Sequence, residues 1–153
     1  MTTWRIVPLT ACRVAELAAC HIASWREAYG TLVPEHVLAG FDLDRSAITW
    51  ERRRVDGEHR ISVAVAEDQL IGFAAATDTE LAALYVRTAW HGTGVADALI
   101  ADAAPGSPCT LWVFGDYPRA HAFYRRHGFA DTGERRVDPF TVLPEQFWRR
   151  DPR

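Results

Sequence analysis

A glycine loop near the middle of the chain is the first segment whose residue types could bind a ligand. It reads His91-Gly92-Thr93-Gly94-Val95-Ala96 and lies between an apolar segment that ends at Val86 and a helical pattern. Glycine lets backbone N–H groups approach a phosphate closely, and a helix N-terminus attracts anions. The loop therefore predicts a diphosphate site, although two glycines alone are equally compatible with a simple tight turn.

Two familiar nucleotide sites can be compared with this loop. A Rossmann dinucleotide site needs a third glycine, in G-x-G-x-x-G, within the first βαβ unit of the chain. Here Asp97 occupies the third position, and the loop follows three predicted strands. A P-loop needs Gly-Lys-Ser/Thr, and the chain contains no lysine. Both sites are therefore disfavoured.

The elements that must position the loop follow from the periodicity of the apolar residues. Alternating or compact apolar segments predict strands at residues 4–9, 60–67, 70–76, 79–86, 110–114, 129–137 and 140–147, with a turn at Asp68-Gln69. Helical spacing predicts helices at about 14–29, 34–39, 44–55, 92–104 and 118–127. The order β-ααα-βββ-α-β-α-ββ predicts a single α/β domain over residues 1–153, in which helices cover both faces of a mixed sheet.

Composition and charge exclude several classes of function. The 153 residues carry a net charge of −3, which does not favour a nucleic-acid-binding protein. The three cysteines (Cys12, Cys20 and Cys109) form no C-x-x-C pair, and the six histidines have no metal-ligand spacing, so we expect no metal site. The N-terminus lacks the apolar core of a signal peptide, and no apolar run is long enough for a membrane span. We therefore expect a cytoplasmic protein that does not bind a membrane.

A second motif lies on the predicted helix that follows the next strand, where residues 120–129 read A-x-x-F-Y-x-x-x-G-F. The two motifs together resemble the GNAT superfamily of N-acetyltransferases. The cofactor motif of that superfamily is Gln or Arg, two residues, Gly, one residue, then Gly or Ala, and residues 91–96 match it except at His91. Residues 25–29 read W-R-x-x-Y and are followed by Pro34, which resembles a bacterial branch of the superfamily. The likeness covers nearly the whole chain.

The resemblance implies that acetyl-CoA is the cosubstrate and that the sheet is splayed. In similar enzymes, the strand before the glycine loop diverges from its neighbour, and its backbone binds the pantetheine arm as an added strand would. The residues that correspond to this strand are Leu84, Tyr85 and Val86. The amides of Gly92, Thr93, Gly94, Val95 and Ala96 would bind the pyrophosphate. Two residues of the cofactor site depart from the family pattern: His91 replaces Gln or Arg, and Tyr117 stands where many members have Asn.

Two residues acquire catalytic interpretations from the resemblance. Tyr124 matches the tyrosine that protonates the departing thiolate in related enzymes, and a phenol can donate a proton to a thiolate. The alternative is that Tyr124 is an aromatic residue of the core. Glu80, at the start of the strand that leads to the loop, corresponds to a glutamate that accepts the amine proton in some similar enzymes, and its alternative is a solvated charge. Weaker candidates for the base are Asp116, His121 and Asp138.

The acceptor site is the least specified part of the prediction. Trp25, Tyr29 and Phe41 come from a region that forms one wall of the acceptor pocket in similar enzymes, and the other wall is expected from Phe114, Arg135 and Asp138. The alternative for all of them is that they are ordinary core or surface residues, and an aromatic stripe on a helix is more often part of the core. We expect a primary amine of a small molecule, such as an amino acid, a polyamine or an antibiotic. A protein N-terminus or lysine as acceptor, a non-catalytic acyl-CoA-binding regulatory module, and a homodimer remain open.

Overall fold

The order of helices and strands agrees with the prediction over residues 3–106 and 108–152, which the computed structural model describes. The strands are β1 (Arg5–Pro8), β2 (Arg60–Ala66), β3 (Gln69–Ala76), β4 (Leu81–Val86), β5 (Cys109–Phe114), β6 (Phe129–Val137) and β7 (Pro144–Arg150). The helices are α1 (Val14–Tyr29), α2 (Glu35–Leu38), α3 (Leu43–Val55), α4 (Val95–Ala103) and α5 (Pro118–Arg126). No helix among the described residues is long and apolar enough to cross a membrane.

The sheet is split between β4 and β5. Strands β1-β2-β3-β4 pair antiparallel in that order, and β5-β7-β6 form a second antiparallel sheet. The two sheets are joined where Glu80 forms a parallel bridge with Thr110, whose amide donates to the carbonyl of Thr79 at 2.9 Å. Beyond this bridge, β4 and β5 form no ladder. The predicted α/β class, with a splayed mixed sheet between helices, is confirmed.

The two central strands explain why helices cover both faces. β2 and β3 are buried along almost their whole length, so their side chains alternate between two apolar clusters. On one face, Val63 and Phe73 pack with α1 and α3. On the other face, Ala64 and Ala74 pack with α4. The hairpin between these strands turns at Glu67 and Asp68, both with positive φ (49° and 63°), one residue before the predicted turn.

Two predicted boundaries are wrong by several residues. The helix predicted from residue 92 begins at Val95, because Gly92 and Gly94 adopt positive φ (76° and 91°) that an α-helix cannot contain. The strand predicted at residues 140–147 is Pro144–Arg150 instead. The carboxylate of Asp138 accepts from the amide and the hydroxyl of Thr141, at 2.8 and 2.7 Å, and this closes residues 138–143 into a loop before β7 begins.

Candidate active site

One cavity of about 820 Å³ lies where β4 and β5 separate. It extends from the glycine loop, past β4 and Tyr124, to a cluster of aromatic side chains on α1 and the neighbouring loops. Tyr124 packs on the α4 face of the sheets, whereas Trp25 and Phe114 pack on the α1 face. The cavity therefore passes through the gap in the sheet and connects its two faces.

The backbone of β4 directs hydrogen-bonding groups into this gap. The amide of Arg87 donates to the carbonyl of Ile71 in β3 at 2.9 Å. Because backbone groups alternate along a strand, Tyr85 also pairs with β3, whereas the N–H and C=O groups of Leu84 and Val86 point away from it. A bulge in the β3–β4 pairing, between Ala75 and Ala76, lies just before this stretch. Leu84 and Val86 can therefore bind an extended arm, while Tyr85 contributes its side chain to the α1 face.

The glycine loop places the first backbone N–H groups of α4 at the other end of the cavity. The amide of Ala98 makes the first helical bond of α4, to the carbonyl of Gly94 at 3.0 Å, so the preceding amides have no acceptor within the helix. A Cβ atom at Gly92 would meet no atom within 4 Å, so the space in front of the loop is open. The residues therefore fit an anionic diphosphate.

The charges beside the loop are arranged so that an anion is not repelled. Asp97, in the first turn of α4, lies 2.7 Å from Arg126 Nη2 and 2.7 Å from His127 Nε2. The hydrogen bond from Arg126 is the largest influence that lowers the pKa of this carboxyl, and the bond from His127 adds to it. The one acidic side chain in the first turn is thus paired with cationic or hydrogen-bonding partners.

His91 folds back onto β4. Its Nε2 lies 2.9 Å from the carbonyl oxygen of Val86. Because a carbonyl only accepts, Nε2 carries the hydrogen. Its Nδ1 is buried and has no hydrogen-bond partner within residues 3–106 and 108–152. The carbonyl of Val86 is therefore hydrogen-bonded to His91. The N–H of Val86 and both backbone groups of Leu84 remain directed into the gap.

Tyr124 reaches the cavity from α5. Its ring packs edge-on against Phe123 (centroids 5.4 Å apart) and Phe129 (5.8 Å). Burial raises the pKa of this phenol well above its ordinary value of 10, so the hydroxyl stays protonated at neutral pH. Tyr29, Tyr85 and Tyr117 line the same cavity.

Glu80 lies at the closed end of the gap, at the bridge between the two sheets. Its side chain is half-buried and borders the cavity, and its amide donates to the hydroxyl of Thr77 at 3.1 Å. The structure thus brings both predicted catalytic side chains to one cavity. Of the weaker candidates, Asp138 also lines it, whereas His121 is bound through Nε2 to the carbonyl of Phe114 at 3.0 Å.

The four aromatic residues predicted for the acceptor site lie together on the α1 face. Tyr29 packs edge-on against Trp25 (ring centroids 5.0 Å apart) and Phe114 (4.8 Å). Phe41 and Phe140 extend the group, with ring centroids 4.7 and 6.2 Å from that of Trp25. We call these five residues the aromatic wall. All of them border the cavity. Trp25 and Phe114 are also buried in an apolar cluster, so these two residues belong both to the core and to the lining of the cavity.

Several charged or polar residues of the cavity were missed by the sequence analysis, among them His21, Arg136 and Glu145. Arg135, predicted for the second wall, is paired with Asp131 at 2.7 Å and does not line the cavity. For Arg136 the sequence did contain a signal. Side chains alternate along a strand, so residues 136 and 138 lie on the same side of an extended segment, and the prediction of Asp138 favours Arg136 over Arg135. His21 and Glu145 gave no signal, since a single histidine or glutamate at such a position is usually a surface residue.

Comparisons with known proteins identify the family. A family model described as the acetyltransferase (GNAT) domain matches residues 57–131. Uncharacterised N-acetyltransferases of Mycobacterium tuberculosis and Mycobacterium bovis are each 30% identical over 115 residues, which cover 68% of this chain and 74% of theirs.

Solved structures share the fold. The PaiA N-acetyltransferase from Thermoplasma acidophilum, in complex with coenzyme A, has a TM-score of 0.78 and 16% identity, and the match covers 97% of this chain and 99% of that one. YjaB from Escherichia coli, in its apo form, has a TM-score of 0.71 and 23% identity over 99% of both chains. This chain belongs to the GNAT superfamily of N-acetyltransferases, whose members use acetyl-CoA as the cosubstrate.

Proposed function

We propose that this protein transfers the acetyl group of acetyl-CoA directly to a primary amine of a small molecule. The observation that carries the proposal is the continuous cavity that passes through the gap between β4 and β5. It joins the glycine loop and Tyr124 to the aromatic wall on the opposite face. Direct transfer requires such a connection, because the thioester and the amine must meet in one space in the correct orientation.

The cosubstrate site is formed mainly by backbone groups. The amides from Gly92 to Ala96 bind the pyrophosphate, supported by the positive end of the α4 dipole. The free backbone groups of Leu84 and Val86 bind the amides of the pantetheine arm, which lies in the gap as an added strand. An N–H of this stretch also donates to the thioester oxygen and stabilises the negative charge that develops there.

Two side chains move protons in this scheme. Glu80 accepts a proton from the incoming ammonium, directly or through water, which leaves the nitrogen lone pair free to attack. The amine nitrogen bonds to the thioester carbon as the C–S bond breaks. Tyr124 gives its phenolic proton to the departing thiolate, which leaves as coenzyme A thiol. The new amide nitrogen loses its second proton, and this proton, passed through water, restores the phenol of Tyr124.

The aromatic wall supports a small acceptor. The ring centroid of Phe140 lies 5.5 Å from that of Phe41, between α2 and α3, and 6.2 Å from that of Trp25 on α1, so the loop of residues 138–143 approaches α1 across the acceptor side. A cavity bordered by a cluster of packed rings suits a compact amine better than a folded protein surface. Protein acetylation requires an open groove along which a peptide can lie.

Coenzyme A release measured with a thiol reagent tests the proposal. The purified protein is given acetyl-CoA with either a panel of small amines or a panel of peptides that carry free N-termini and internal lysines. We expect at least one small amine with a kcat/KM about tenfold above that of every peptide. Preference for a peptide would favour a protein acceptor. Tight acetyl-CoA binding without thiol release in any reaction would favour a regulatory module.

A further inference from the structure

Arg136 and Glu145 form an ion pair on the acceptor side of the cavity. They are direct cross-strand neighbours on β6 and β7, and Arg136 Nε donates to Glu145 Oε1 at 2.8 Å. The side chain of Glu145 is only 11% exposed, whereas that of Arg136 is 48% exposed, and both residues border the cavity. The buried carboxylate therefore anchors a guanidinium whose other edge remains accessible.

A ring contact fixes the plane of this guanidinium. The Cζ atom of Arg136 lies 4.0 Å from the centroid of the Trp112 ring, within the range of a cation–π contact. The two Nη atoms of Arg136 have no hydrogen-bond partner in the part of the chain that the structure describes. An arginine held through Nε and stacked on a ring presents its two Nη groups as a fork that matches a carboxylate.

The position of the pair points to the acceptor rather than to the cosubstrate phosphates. Directly paired residues of adjacent strands project to the same face of a sheet, and Glu145 pairs with both Arg136 and Phe114. The pair therefore shares a face with the aromatic wall. The helix that carries the glycine loop packs on the opposite face, against Leu111.

We infer that Arg136 binds a carboxylate of the acceptor, held in position by Glu145, so that the acceptor class is a molecule with both an amine and a carboxylate, as in a free amino acid. The inference rests on the proposed function. The Arg136–Glu145 pair has no net charge, which favours an acceptor that itself carries both charges over a simple anion. Asp138, another acidic residue that borders the cavity, already accepts two hydrogen bonds from Thr141.

Calorimetry tests the inference without requiring turnover. The protein saturated with coenzyme A is titrated with L-amino acids and with the matching amino acid amides, which keep the amine and lose the carboxylate. We expect at least one amino acid to bind about tenfold more tightly than its amide. The variant Arg136→Gln should remove this difference and leave the affinity for coenzyme A unchanged.

The chain offers a matched control for Arg136. Arg135 lies next to it on β6, carries the same charge and makes its own ion pair with Asp131, but it does not border the cavity. Arg135→Gln should retain the preference for the carboxylate. Glu145→Gln keeps an oxygen that can accept from Arg136 Nε, so it should also keep the preference, whereas Glu145→Ala should weaken it.

Kinetics of the same variants separate this inference from the proposed function. For an amino acid substrate, Arg136→Gln should raise KM about tenfold with kcat within about twofold of the unchanged protein. The inference is overturned if no amino acid binds, if amides bind or react as well as the acids, or if Arg136→Gln retains the preference. Transfer to simple amines without that preference would leave the proposed function standing. Selective binding of amino acids without any transfer would instead refute the proposed function and support carboxylate recognition.

Discussion

His91 Nε2 lies 2.9 Å from the carbonyl oxygen of Val86, so the first residue of the glycine loop is hydrogen-bonded to the last residue of β4. This contact joins the segment proposed for the pyrophosphate to the strand proposed for the pantetheine arm. It also accounts for histidine at a position where the family has Gln or Arg, since each of these side chains carries an N–H donor. The contribution of His91 is therefore to hold the loop in place through the strand.

Replacing His91 tests this positioning role. His91→Ala removes the donor to the Val86 carbonyl and should weaken acetyl-CoA binding by about fivefold, the effect of one lost hydrogen bond. His91→Gln retains an N–H donor and should bind acetyl-CoA nearly as tightly as the unchanged protein. Calorimetric titration measures both affinities, with His36→Ala on the surface of α2 as the control. Equal affinity in His91→Ala would show that the loop does not depend on this bond.

Tyr124→Phe tests the proposed acid. The variant keeps the ring packed against Phe123 and Phe129 but removes the only proton that the side chain can donate. We expect kcat to fall by more than about tenfold while the dissociation constant for acetyl-CoA stays unchanged. Tyr117→Phe removes another phenol of the same cavity, at a position that the family resemblance assigns to cosubstrate contact and not to proton transfer. It therefore serves as the matched control for kcat alone, measured at saturating acetyl-CoA, and we expect that kcat to lie near that of the unchanged protein. Undiminished turnover in Tyr124→Phe would refute the assignment of Tyr124 as the general acid.

Gly94→Val tests the glycine loop. Gly94 has φ of +91°, which a β-branched residue rarely adopts, and a Cβ there would lie 3.8 Å from the Trp4 ring. The altered loop should lose acetyl-CoA binding in calorimetry. Gly57→Val imposes comparable backbone strain, at φ of +75°, in the turn between α3 and β2. It should lower the melting temperature but leave acetyl-CoA affinity intact, and loss of affinity in both variants would indicate a general folding defect instead.

The sequence predicted those parts of the molecule that depend on local patterns. Apolar periodicity identified β2 and β3, and the glycines identified the loop before α4. The start of β7 was wrong because a side-chain contact, from Asp138 to Thr141, decides where the preceding loop ends. No local apolar pattern records such a contact.

The residues of the candidate site also differ in whether a local pattern predicts them. Glu80 and Tyr124 were found through motifs of fixed spacing, and both line the cavity. Arg136 and Glu145 belong to different strands, and they meet only because β6 and β7 pair in a particular register. A register depends on the fold as a whole, so this pair was not accessible from the sequence.

His21 gives a prediction for the pH dependence of stability. The imidazole lies among Phe41, Trp50, Phe73 and Tyr85, and its Nδ1 accepts from Trp50 Nε1 at 3.2 Å. Burial, with a smaller contribution from the charge of Arg53, lowers the pKa of His21 from 6.5 to about 4. Between these values the unfolded chain binds a proton that the folded protein does not. The stabilisation is therefore complete above 6.5 and is lost as the pH falls toward 4.

Urea denaturation at about pH 7 and about pH 5 measures this effect. His21→Leu cannot titrate at this position, whereas the other ionisable groups contribute almost equally to both proteins. We expect the free energy of unfolding to fall, on going to the lower pH, by roughly 1 to 2 kcal/mol more in the unchanged protein than in His21→Leu. His36→Leu, at an exposed histidine of α2, should leave the pH dependence as it is. Parallel pH dependence in the unchanged protein and His21→Leu would mean that the folded protein accepts a proton on His21 as readily as the unfolded chain does.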